Sequence, residues 1–492
     1  MDVTARWLRT VAICAALALG SASSAATRQG DSNASPDPAT SAATAIDEFI
    51  RAEMSRRALP GVAVAVTYGG YVLSVAGYGR DSSNRPVTGS TPFYLGSTSK
   101  AFTGVALMQL VEAGQIELDA PVQRYLPEFK LADQRAGSIT VRHLLNHTSG
   151  MWEVGIRQWS LPQPDSLATA VARLRRARLA TEPGTTHNYF NPNYATAARL
   201  VEVISGRPFD DYMRTQVFLP LGMTETRTVD FVDERRHGIA RGHVYAFGHA
   251  FIAPGGPFFI NGAGGIATTA TDMSKWLIAQ ANGGRAANGS QLLSSQALRE
   301  THTPSAASRG YAFGWNVANN GRISHSGGLP TYSSYVAFFE NGDGVVVLCP
   351  CGDSNAPRDM ALGILSLRKG LSPPANSAPL LPRIDLVAGL LLAGNWAFTA
   401  WKLTRTRKWA TTPRPWWRIA VGFVCYAATA IAVLIALPML LGRVVPWSWL
   451  WLAYYYPVET GLLLSLALTS VLILVVRIGS LMKAGTRAAP AQ

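Results

Sequence analysis

The sequence predicts an α+β protein in which helices flank one antiparallel sheet, an all-helical subdomain lies beside the sheet, and a three-helix transmembrane region follows. Three observations predict this fold class. β-branched and aromatic runs occur near residues 61–76 and again at 311–348, helical patterns fill much of the chain between them, and three apolar spans follow residue 383. Strands confined to the two ends of a domain favour one sheet built from both ends, so a functional site is expected at the seam between the sheet and the helices.

The N-terminal segment has the three parts of a secretory signal peptide. Two arginines precede a short apolar run at residues 11–19, and small residues follow as far as Ala26. Residues 1–26 are therefore predicted to be a signal peptide, with an uncleaved membrane anchor as the alternative. Residues 27–42 are rich in Ser, Asn, Asp, Pro and Ala, which predicts a flexible linker.

Residues 43–370 carry the periodicities of a folded domain. Apolar residues at helical spacing between Ile46 and Met54 predict a first helix, and two β-branched runs at 61–67 and 71–76 predict a hairpin that turns at Gly69-Gly70. The remaining elements are predicted as four helices, four short strands and a closing helix, at residues 140–146, 167–179, 193–205, 271–281, 311–316, 322–325, 332–339, 344–348 and 357–369.

Ser97 and Lys100 stand three residues apart at the start of a predicted helix, ahead of an amphipathic segment at 101–111. At this spacing the two side chains share one helix face, with the amine one turn above the hydroxyl. A serine hydroxyl becomes a good nucleophile when a base takes its proton, and a helix N-terminus favours the neutral form of a nearby lysine. Ser-x-x-Lys is thus a candidate nucleophile and base pair. The alternative is a serine N-cap with a solvated lysine.

Two further motifs lie downstream. Tyr189-Phe-Asn191 offers a phenol that can shuttle protons and an amide that can orient a lysine or a substrate carbonyl. An ordinary loop tyrosine beside an Asx-type turn is the alternative. His325-Ser-Gly-Gly328 follows a short predicted strand, and its glycines let the backbone approach a substrate and donate an N–H to an oxyanion. For His325 alone, the alternative is an edge-strand histidine at a glycine turn.

In this order and at these spacings, the three motifs resemble those of the β-lactamase and penicillin-binding protein superfamily of serine hydrolases. The resemblance is to the class C β-lactamase-like branch, which includes D-Ala-D-Ala carboxypeptidases, esterases and D-amino-acid peptidases, and it covers about residues 43–369. Other stretches similar to the family are Gly96-Ser-Thr-Ser-Lys-Ala-Phe-Thr103, His143-Leu-Leu-Asn-His-Thr-Ser-Gly150, Glu182-Pro-Gly184, Ala263-Gly-Gly265 and Thr271-Asp-Met-Ser-Lys-Trp276.

The resemblance implies a role for each residue of the first two motifs. Ser97 is expected to be the acylated nucleophile and Lys100 its proton partner. Tyr189 is expected to be the general base or proton relay, and Asn191 a ligand of the substrate and of the lysine. The implied chemistry is attack on an amide or ester, a covalent acyl-enzyme, and then hydrolysis or transfer, with no metal or cofactor.

The third motif implies the substrate contacts. His325 and Ser326 are expected to face the substrate from the sheet edge, and the N–H groups of Ser97 and Gly328, beside Gly327, to form the oxyanion hole. Lactamases of this branch usually carry lysine where this chain has His325. A mostly neutral imidazole attracts a substrate carboxylate more weakly at pH 7, so peptidase or esterase activity is ranked above β-lactamase activity.

The C-terminal part predicts a multi-pass membrane protein. A linker at 371–383 precedes apolar spans at about 384–401, 419–442 and 458–476 and a tail at 477–492. Six Lys or Arg lie between the first two spans and one between the last two, which places the first connection and the tail in the cytoplasm and the catalytic domain on the extracytoplasmic, periplasmic side of the cell membrane. The first span contains Asn395, so a buried helical hairpin is its alternative. Trp and Tyr residues at 447–456 predict an interfacial aromatic belt.

The positive charge does not indicate a nucleic-acid partner. Of the net charge of +14, residues from Arg383 onward carry +9, with eleven Lys or Arg against two acids, and that region is also the most apolar. The leading hypothesis is therefore a membrane-anchored extracytoplasmic serine hydrolase of small-molecule or peptide substrates, with peptidoglycan-derived peptides among the candidates. A β-lactamase, a non-enzymatic penicillin or muropeptide receptor, and a transporter or scaffold with a decayed hydrolase domain are the competing hypotheses.

Overall fold

The computed structural model describes residues 38–152, 158–353, 355–374, 381–437, 439 and 448–488. The predicted signal peptide and residues 27–37 of the predicted linker lie outside this set. Residues 38–42 belong to helix α1 (Pro38–Arg56), which corrects the predicted linker boundary. Alanine is the strongest helix former, and the Ala-rich sequence there extends the helix beyond its apolar face. The chain forms two compact units, one of Ile46–Pro379 with Met439–Tyr455, and the other of Met1–Ala45, Leu380–Pro438 and Tyr456–Gln492.

The main sheet has seven antiparallel strands. They are β1 Gly61–Tyr68, β2 Tyr71–Gly79, β8 Tyr311–Ala312, β9 Trp315–Val317, β10 Ile323–Gly328, β11 Ser333–Phe338 and β12 Gly344–Cys349. Their order is β2-β1-β12-β11-β10-β9-β8, so the two ends of the domain meet where β1 pairs with β12. The sheet built from both ends is confirmed. The strand predicted at 311–316 is two short strands, because Phe313 and Gly314 adopt positive φ angles and turn the chain.

Helices cover both faces of this sheet. Along β1, alternate side chains point to opposite faces: Val62 and Val64 pack with α1 and with α11 (Asn355–Arg368), whereas Ala63 and Ala65 face the larger core. The helix α9 (Ala270–Ala281) contributes Trp276 and Leu277 to that larger core. Because helices bury alternate side chains on both faces of the sheet, the domain is an α/β/α sandwich, and the helical insert adjoins it.

The insert carries most of the remaining helices. They are α2 Ser99–Glu112, α3 Val122–Tyr125, α4 Val141–Leu145, α5 Leu167–Ala172, α6 Asn191–Ser205, α7 Phe209–Tyr212, α8 Glu234–His237 and, beyond α9, α10 Ser295–Thr301. The predicted helices at 140–146, 193–205 and 271–281 match α4, α6 and α9 closely. The helix predicted at 167–179 instead ends at Ala172 and continues as a 3₁₀ turn, Arg173–Arg176.

Two features of the insert correct the prediction. The insert is not all-helical, because it contains a small sheet of β3 Phe93–Tyr94, β4 Arg227–Thr228 and β7 Ile266–Thr268, and a hairpin of β5 His243–Ala246 and β6 His249–Ile252. Strands of two to four residues are too short to show a period in the sequence. The helix α2 is not amphipathic either. Its residues from Ser99 to Leu110 are buried, apart from Gln109, because core side chains surround it.

Three helices in the C-terminal part are long and apolar enough to cross a membrane. They are Leu381–Thr404 (α12), Trp416–Ala436, which begins as α14 Trp416–Ile431 after the short α13 Thr406–Thr411, and Pro457–Lys483 within α16 Pro457–Ala488. The predicted linker therefore ends before Leu381, and the predicted tail starts as helix. The amide of Asn395 donates to Ser465 Oγ (2.9 Å) and Thr469 Oγ1 (3.1 Å). The polar side chain of Asn395 is therefore satisfied by hydrogen bonds to another candidate span, which is how polar residues are commonly accommodated between membrane helices.

The aromatic segment that follows the second span packs on the unit that contains the main sheet. Helix α15 (Trp449–Tyr455) belongs to the same compact unit as the sheet and the insert. Tyr454 is 4% exposed, clusters with Val244 and Ala253, and its hydroxyl donates to the Gly255 carbonyl (3.3 Å). A hydrophobic surface on the hydrolase-like unit thus binds aromatic side chains that composition alone assigned to the membrane interface. Trp447 lies outside the described residues.

Candidate active site

Ser97 lies in a tight 3₁₀ turn, Gly96–Thr98, that leads directly into α2. Gly96 has a φ of +62°, and a Cβ atom there would lie 2.8 Å from the backbone nitrogen of Gly328. Glycine is therefore required at position 96, both for its backbone conformation and for the close approach of strand β10. This contact brings the backbone of the Ser97 turn against the end of the third motif.

Lys100 is fully buried one turn along from Ser97. Its Nζ donates to Asn191 Oδ1 (2.8 Å) and to the Ala263 carbonyl (2.7 Å), and it lies 3.1 Å from Ser97 Oγ. None of these three partners is a carboxylate. Burial removes water from the ammonium group, and this loss of hydration holds the pKa of Lys100 well below its usual value.

The second motif joins this cluster at the start of α6. The Tyr189 ring lies beside this cluster, and Lys100 Nζ lies 4.8 Å from the centroid of the tyrosine ring. Burial raises the pKa of Tyr189 above its usual value, so the side chain is a phenol at neutral pH. Asn191, the first residue of α6, holds the lysine through its amide oxygen.

His325 lies on β10 and is 4% exposed. Its Nδ1 lies 2.6 Å from the Ser326 carbonyl, and its Nε2 lies 3.1 Å from the Tyr311 hydroxyl. Because a carbonyl can only accept, Nδ1 carries the proton and Nε2 accepts from Tyr311. Burial, followed by the repulsion from Lys100, lowers the pKa of His325 to about 3. The imidazole is therefore neutral at physiological pH.

The two glycines after Ser326 let β10 pass close to the serine turn. A Cβ atom on Gly327 would lie 1.8 Å from the Leu95 carbonyl oxygen. Leu329 N–H donates to the Tyr332 carbonyl (2.8 Å), and residues of an antiparallel ladder alternate between hydrogen-bonded and non-hydrogen-bonded pairs. Gly328, which lies opposite Ser333, therefore directs its N–H away from β11 and toward the side of Ser97.

The structure brings Ser97, Lys100, Tyr189 and Asn191 into one cluster at the seam of the sheet and the insert. It places the third motif, His325 to Gly328, on the neighbouring strand β10, with the His325 ring centroid 6.2 Å from that of Tyr189. It also adds groups that the motifs did not identify. His147 is fully buried, its ring centroid lies 4.3 Å from that of Tyr189, and its Nδ1 accepts from Phe190 N–H (3.3 Å). Tyr311 holds His325, and the Ala263 carbonyl holds Lys100. His147 and Ala263 lie in stretches similar to the family, but nothing in their local pattern indicated these contacts.

A cavity of about 250 Å³ opens on Ser97. Asn191, Gly264 and Gly328 contribute to its rim, and aromatic side chains such as Trp159 and Phe258 contribute to its walls. A nucleophile with a buried amine beside it, two backbone N–H groups close by and an adjoining cavity can bind a carbonyl compound and attack it.

Comparison with known proteins defines the class. A family model described as Beta-lactamase matches residues 46–369, and the chain belongs to this family. Penicillin-binding protein 4 of Amycolatopsis lactamdurans is 30% identical over 58% of this chain and 79% of its own length. Penicillin-binding protein 4* of Bacillus subtilis (strain 168) is 30% identical over 52% and 60%. Unguisins hydrolase ungD' of Aspergillus campestris is 29% identical over 59% and 58%. The chain spans less than two thirds of the length of the last two relatives.

Solved structures agree with this assignment. D-alanine carboxypeptidase AmpC from Burkholderia cenocepacia has a TM-score of 0.54 and 25% identity, over 66% of this chain and 99% of its own. The octameric penicillin-binding protein homologue from Pyrococcus abyssi has a TM-score of 0.59 and 24% identity, over 67% of this chain and 78% of its own. This similarity concerns the fold alone. The superfamily and the fold class of an antiparallel sheet flanked by helices are confirmed, and the short strands of the insert correct the all-helical subdomain.

Proposed function

We propose that the protein is a membrane-anchored extracytoplasmic serine hydrolase that forms an acyl-enzyme on Ser97, with peptides of the D-Ala-D-Ala or D-amino-acid type, or esters, as substrates. The buried amine of Lys100 is the observation that carries this proposal. It is buried away from water, no carboxylate among the described residues pairs with it, and it lies 3.1 Å from the serine oxygen. A structural lysine in a folded core is normally paired with an acid, whereas a lysine that must act as a base is kept neutral.

The three contacts of Lys100 support the acylation step. In the neutral amine, two N–H bonds are used by Asn191 and by the Ala263 carbonyl, so the lone pair faces Ser97 Oγ. The serine O–H donates its proton to this lone pair as Oγ forms a bond to the substrate carbonyl carbon. The oxygen of the tetrahedral intermediate is stabilised by the N–H groups of Ser97 and Gly328.

Tyr189 is suited to the departure of the leaving group. Its phenol is protonated, and its ring centroid lies 4.8 Å from Lys100 Nζ. The phenol gives its proton to the departing amine or alkoxide and regains one from the lysine ammonium, so the proton taken from serine leaves with the product. Water then attacks the ester carbonyl of the acyl-enzyme with the same groups in reversed roles, which releases the acid and restores Ser97.

The state of His325 supports the ranking of substrates. A lysine at this position would present a fixed positive charge to a substrate carboxylate. The imidazole is instead neutral, buried and hydrogen-bonded at both nitrogens. It offers little electrostatic attraction, so we propose peptidase or esterase activity ahead of β-lactamase activity.

Two observations support an extracytoplasmic position for the hydrolase domain. Six Lys or Arg lie between the first and second candidate spans, as in cytoplasmic loops. Helix α15, which lies between the second and third spans, belongs to the compact unit that contains Ser97. We propose that this connection shares the extracytoplasmic side with the hydrolase unit and that the basic connection is cytoplasmic. We retain residues 1–26 as a signal peptide, 43–370 as the hydrolase domain and the end of the chain as a cytoplasmic tail within this proposal.

Covalent labelling of the full chain in detergent tests the assignment. We expect a fluorophosphonate to add its phosphonyl group to the Ser97 peptide, as detected by mass spectrometry, and Ser97→Ala to lose both labelling and ester turnover. A penicillin adduct that persists would favour a penicillin-binding peptidase, and hydrolysis of nitrocefin would favour a β-lactamase. Labelling of Ser97 without turnover of any peptide, ester or β-lactam would favour the receptor hypothesis. Failure to label folded wild-type protein would overturn the proposal.

A further inference from the structure

The cavity beside Ser97 is walled mainly by apolar and aromatic side chains. Trp159 and Phe258 meet edge to face with ring centroids 5.2 Å apart, and Phe259, Leu174 and Leu329 continue the apolar surface. Of the described residues that line the cavity, Arg173 alone is charged. Such walls favour an apolar occupant, because burial of apolar surface is the main gain on binding.

Two polar side chains of the lining, those of Gln163 and Arg173, hydrogen-bond to the protein. The Gln163 amide donates to the carbonyls of Gln158 (3.0 Å) and Ser160 (2.8 Å), and its oxygen accepts from Phe259 N–H (3.1 Å). The Arg173 guanidinium donates to the Ser160 hydroxyl (3.2 Å). An occupant of this cavity therefore does not have to satisfy the Gln163 amide, and most of the surface that it meets is apolar.

One wall comes from a distant part of the chain. Trp451 and Tyr455 of α15 line the cavity, and their rings stack with centroids 4.0 Å apart. They stand four residues apart and so share a helix face, while Tyr454 and Leu450 of the same helix pack onto Val244 and its neighbours. Helix α15 lies outside residues 46–369, the part that the family model matches. This wall is a feature of the chain beyond the family domain.

Resting on the proposed serine hydrolase function, we propose that the cavity binds a large apolar acyl group of an ester or amide substrate. We further propose that Trp451 and Tyr455 determine this specificity. The acyl group remains bonded to Ser97 Oγ after the leaving group departs, so a cavity that opens on Ser97 is the place that holds it. The bond between acyl carbon and leaving atom breaks, the leaving group takes up the serine proton, and water later releases a carboxylic acid with a long apolar chain.

The first test is the dependence of ester hydrolysis on acyl length. The full-length protein in detergent is assayed with p-nitrophenyl acetate, butyrate, hexanoate and octanoate at concentrations below micelle formation. We expect kcat/KM to rise by up to about fourfold for each added methylene, the factor that burial of one CH₂ group gives. Equal kcat/KM across the series, or a preference for acetate, would overturn the acyl-cavity proposal while leaving the hydrolase assignment intact.

The second test assigns the effect to α15. In Trp451→Ala we expect the ratio of kcat/KM for octanoate to that for acetate to fall about tenfold or more, which corresponds to the loss of roughly two buried methylenes. Trp449→Ala is the matched control, because Trp449 is on the same helix and does not line the cavity. Equal ratios in the Trp451→Ala variant, the control and the wild type would overturn the role of the helix.

A third measurement does not depend on the folding of a variant. The rates at which wild-type Ser97 is labelled by methyl and octyl fluorophosphonates are compared by mass spectrometry. Faster labelling by the octyl reagent supports the proposal, and equal or slower labelling contradicts it. Absence of labelling by both, together with absence of ester turnover, would instead overturn the proposed hydrolase function on which this inference rests.

Discussion

The polar cluster around Lys100 and the apolar cavity beside it both open on Ser97, but they are held together differently. In the cluster, the polar atoms of Lys100 and His325 have partners at 2.6 to 3.1 Å, supplied by the Ser97 turn, α6, β8, β10 and the Ala263 carbonyl. In the cavity, stacked and edge-to-face rings form the walls, and one wall is the distant helix α15.

This difference separates the reaction from the choice of substrate. The strength of hydrogen bonds and of interactions between buried polar groups changes when atoms move by a fraction of an ångström. Substitutions in the cluster should therefore act on kcat. Apolar walls discriminate in proportion to buried area, so substitutions in the cavity should act on selectivity between acyl groups. The residues of the polar cluster lie within the segment that the family model matches, whereas helix α15 lies outside that segment.

The largest expected effect is that of Lys100→Met. Methionine keeps much of the buried volume but cannot accept the serine proton, so we expect kcat to fall by about 10³-fold to 10⁴-fold, the upper range for general base catalysis. The measurement is p-nitrophenyl ester hydrolysis with circular dichroism as a check on folding. Lys130→Met, at an exposed position, is the control. A folded Lys100→Met protein with wild-type kcat would show that another group is the base.

Gly327→Ala should break the contact between the sheet and the serine turn. The added Cβ would lie 1.8 Å from the Leu95 carbonyl, so β10 or the turn must shift and Gly328 N–H moves with it. We expect kcat/KM to fall by about 10²-fold to 10³-fold, as for loss of one oxyanion donor, together with a lower Tm. Gly137→Ala is the matched control, because its Cβ would meet no atom closer than 3.7 Å. Similar activity in both variants would contradict this geometry.

Tyr189→Phe should have a smaller effect because it keeps the ring that contacts Lys100 and removes only the hydroxyl. We expect kcat to fall about 10²-fold with little change in KM, because the proton relay is lost while the substrate surface remains. Single-turnover measurement of acylation and deacylation locates the loss. Tyr212→Phe, at a buried tyrosine on α7, is the control. A raised KM with unchanged kcat would make Tyr189 a binding residue rather than a relay.

The smallest expected effect concerns stability and pH. His325 has a pKa of about 3 in the folded protein and an ordinary value of 6.5 when unfolded. Between these values the unfolded chain binds more protons, so acidification from pH 6.5 toward 3 lowers the free energy of unfolding. His325→Gln removes this contribution, and we expect its Tm to fall less than that of the wild type between pH 7.5 and 4.5. Identical slopes would show that His325 is not held neutral.

Local sequence patterns predicted much of the fold and of the site. β-branched runs at both ends of the domain gave the sheet, and the spacing of Ser97 and Lys100 placed both side chains on one face. The errors share a cause. Strands β3 to β7 are too short for a period, α2 is buried on all sides by distant segments, and α15 packs on a hydrophobic surface of the hydrolase unit that composition did not indicate.

By itself the amino-acid sequence determined which groups are available for chemistry, because spacing along a helix or after a strand is a local property of the chain. Only the tertiary structure decided that Lys100 is buried and that its amine donates hydrogen bonds to Asn191 and to the Ala263 carbonyl. These partners follow Lys100 by 91 and 163 residues in the chain. Only the tertiary structure, likewise, placed Trp451 in the wall of the cavity. Burial and long-range packing depend on which distant segments of the chain come into contact. A local hydrophobic periodicity does not predict those contacts.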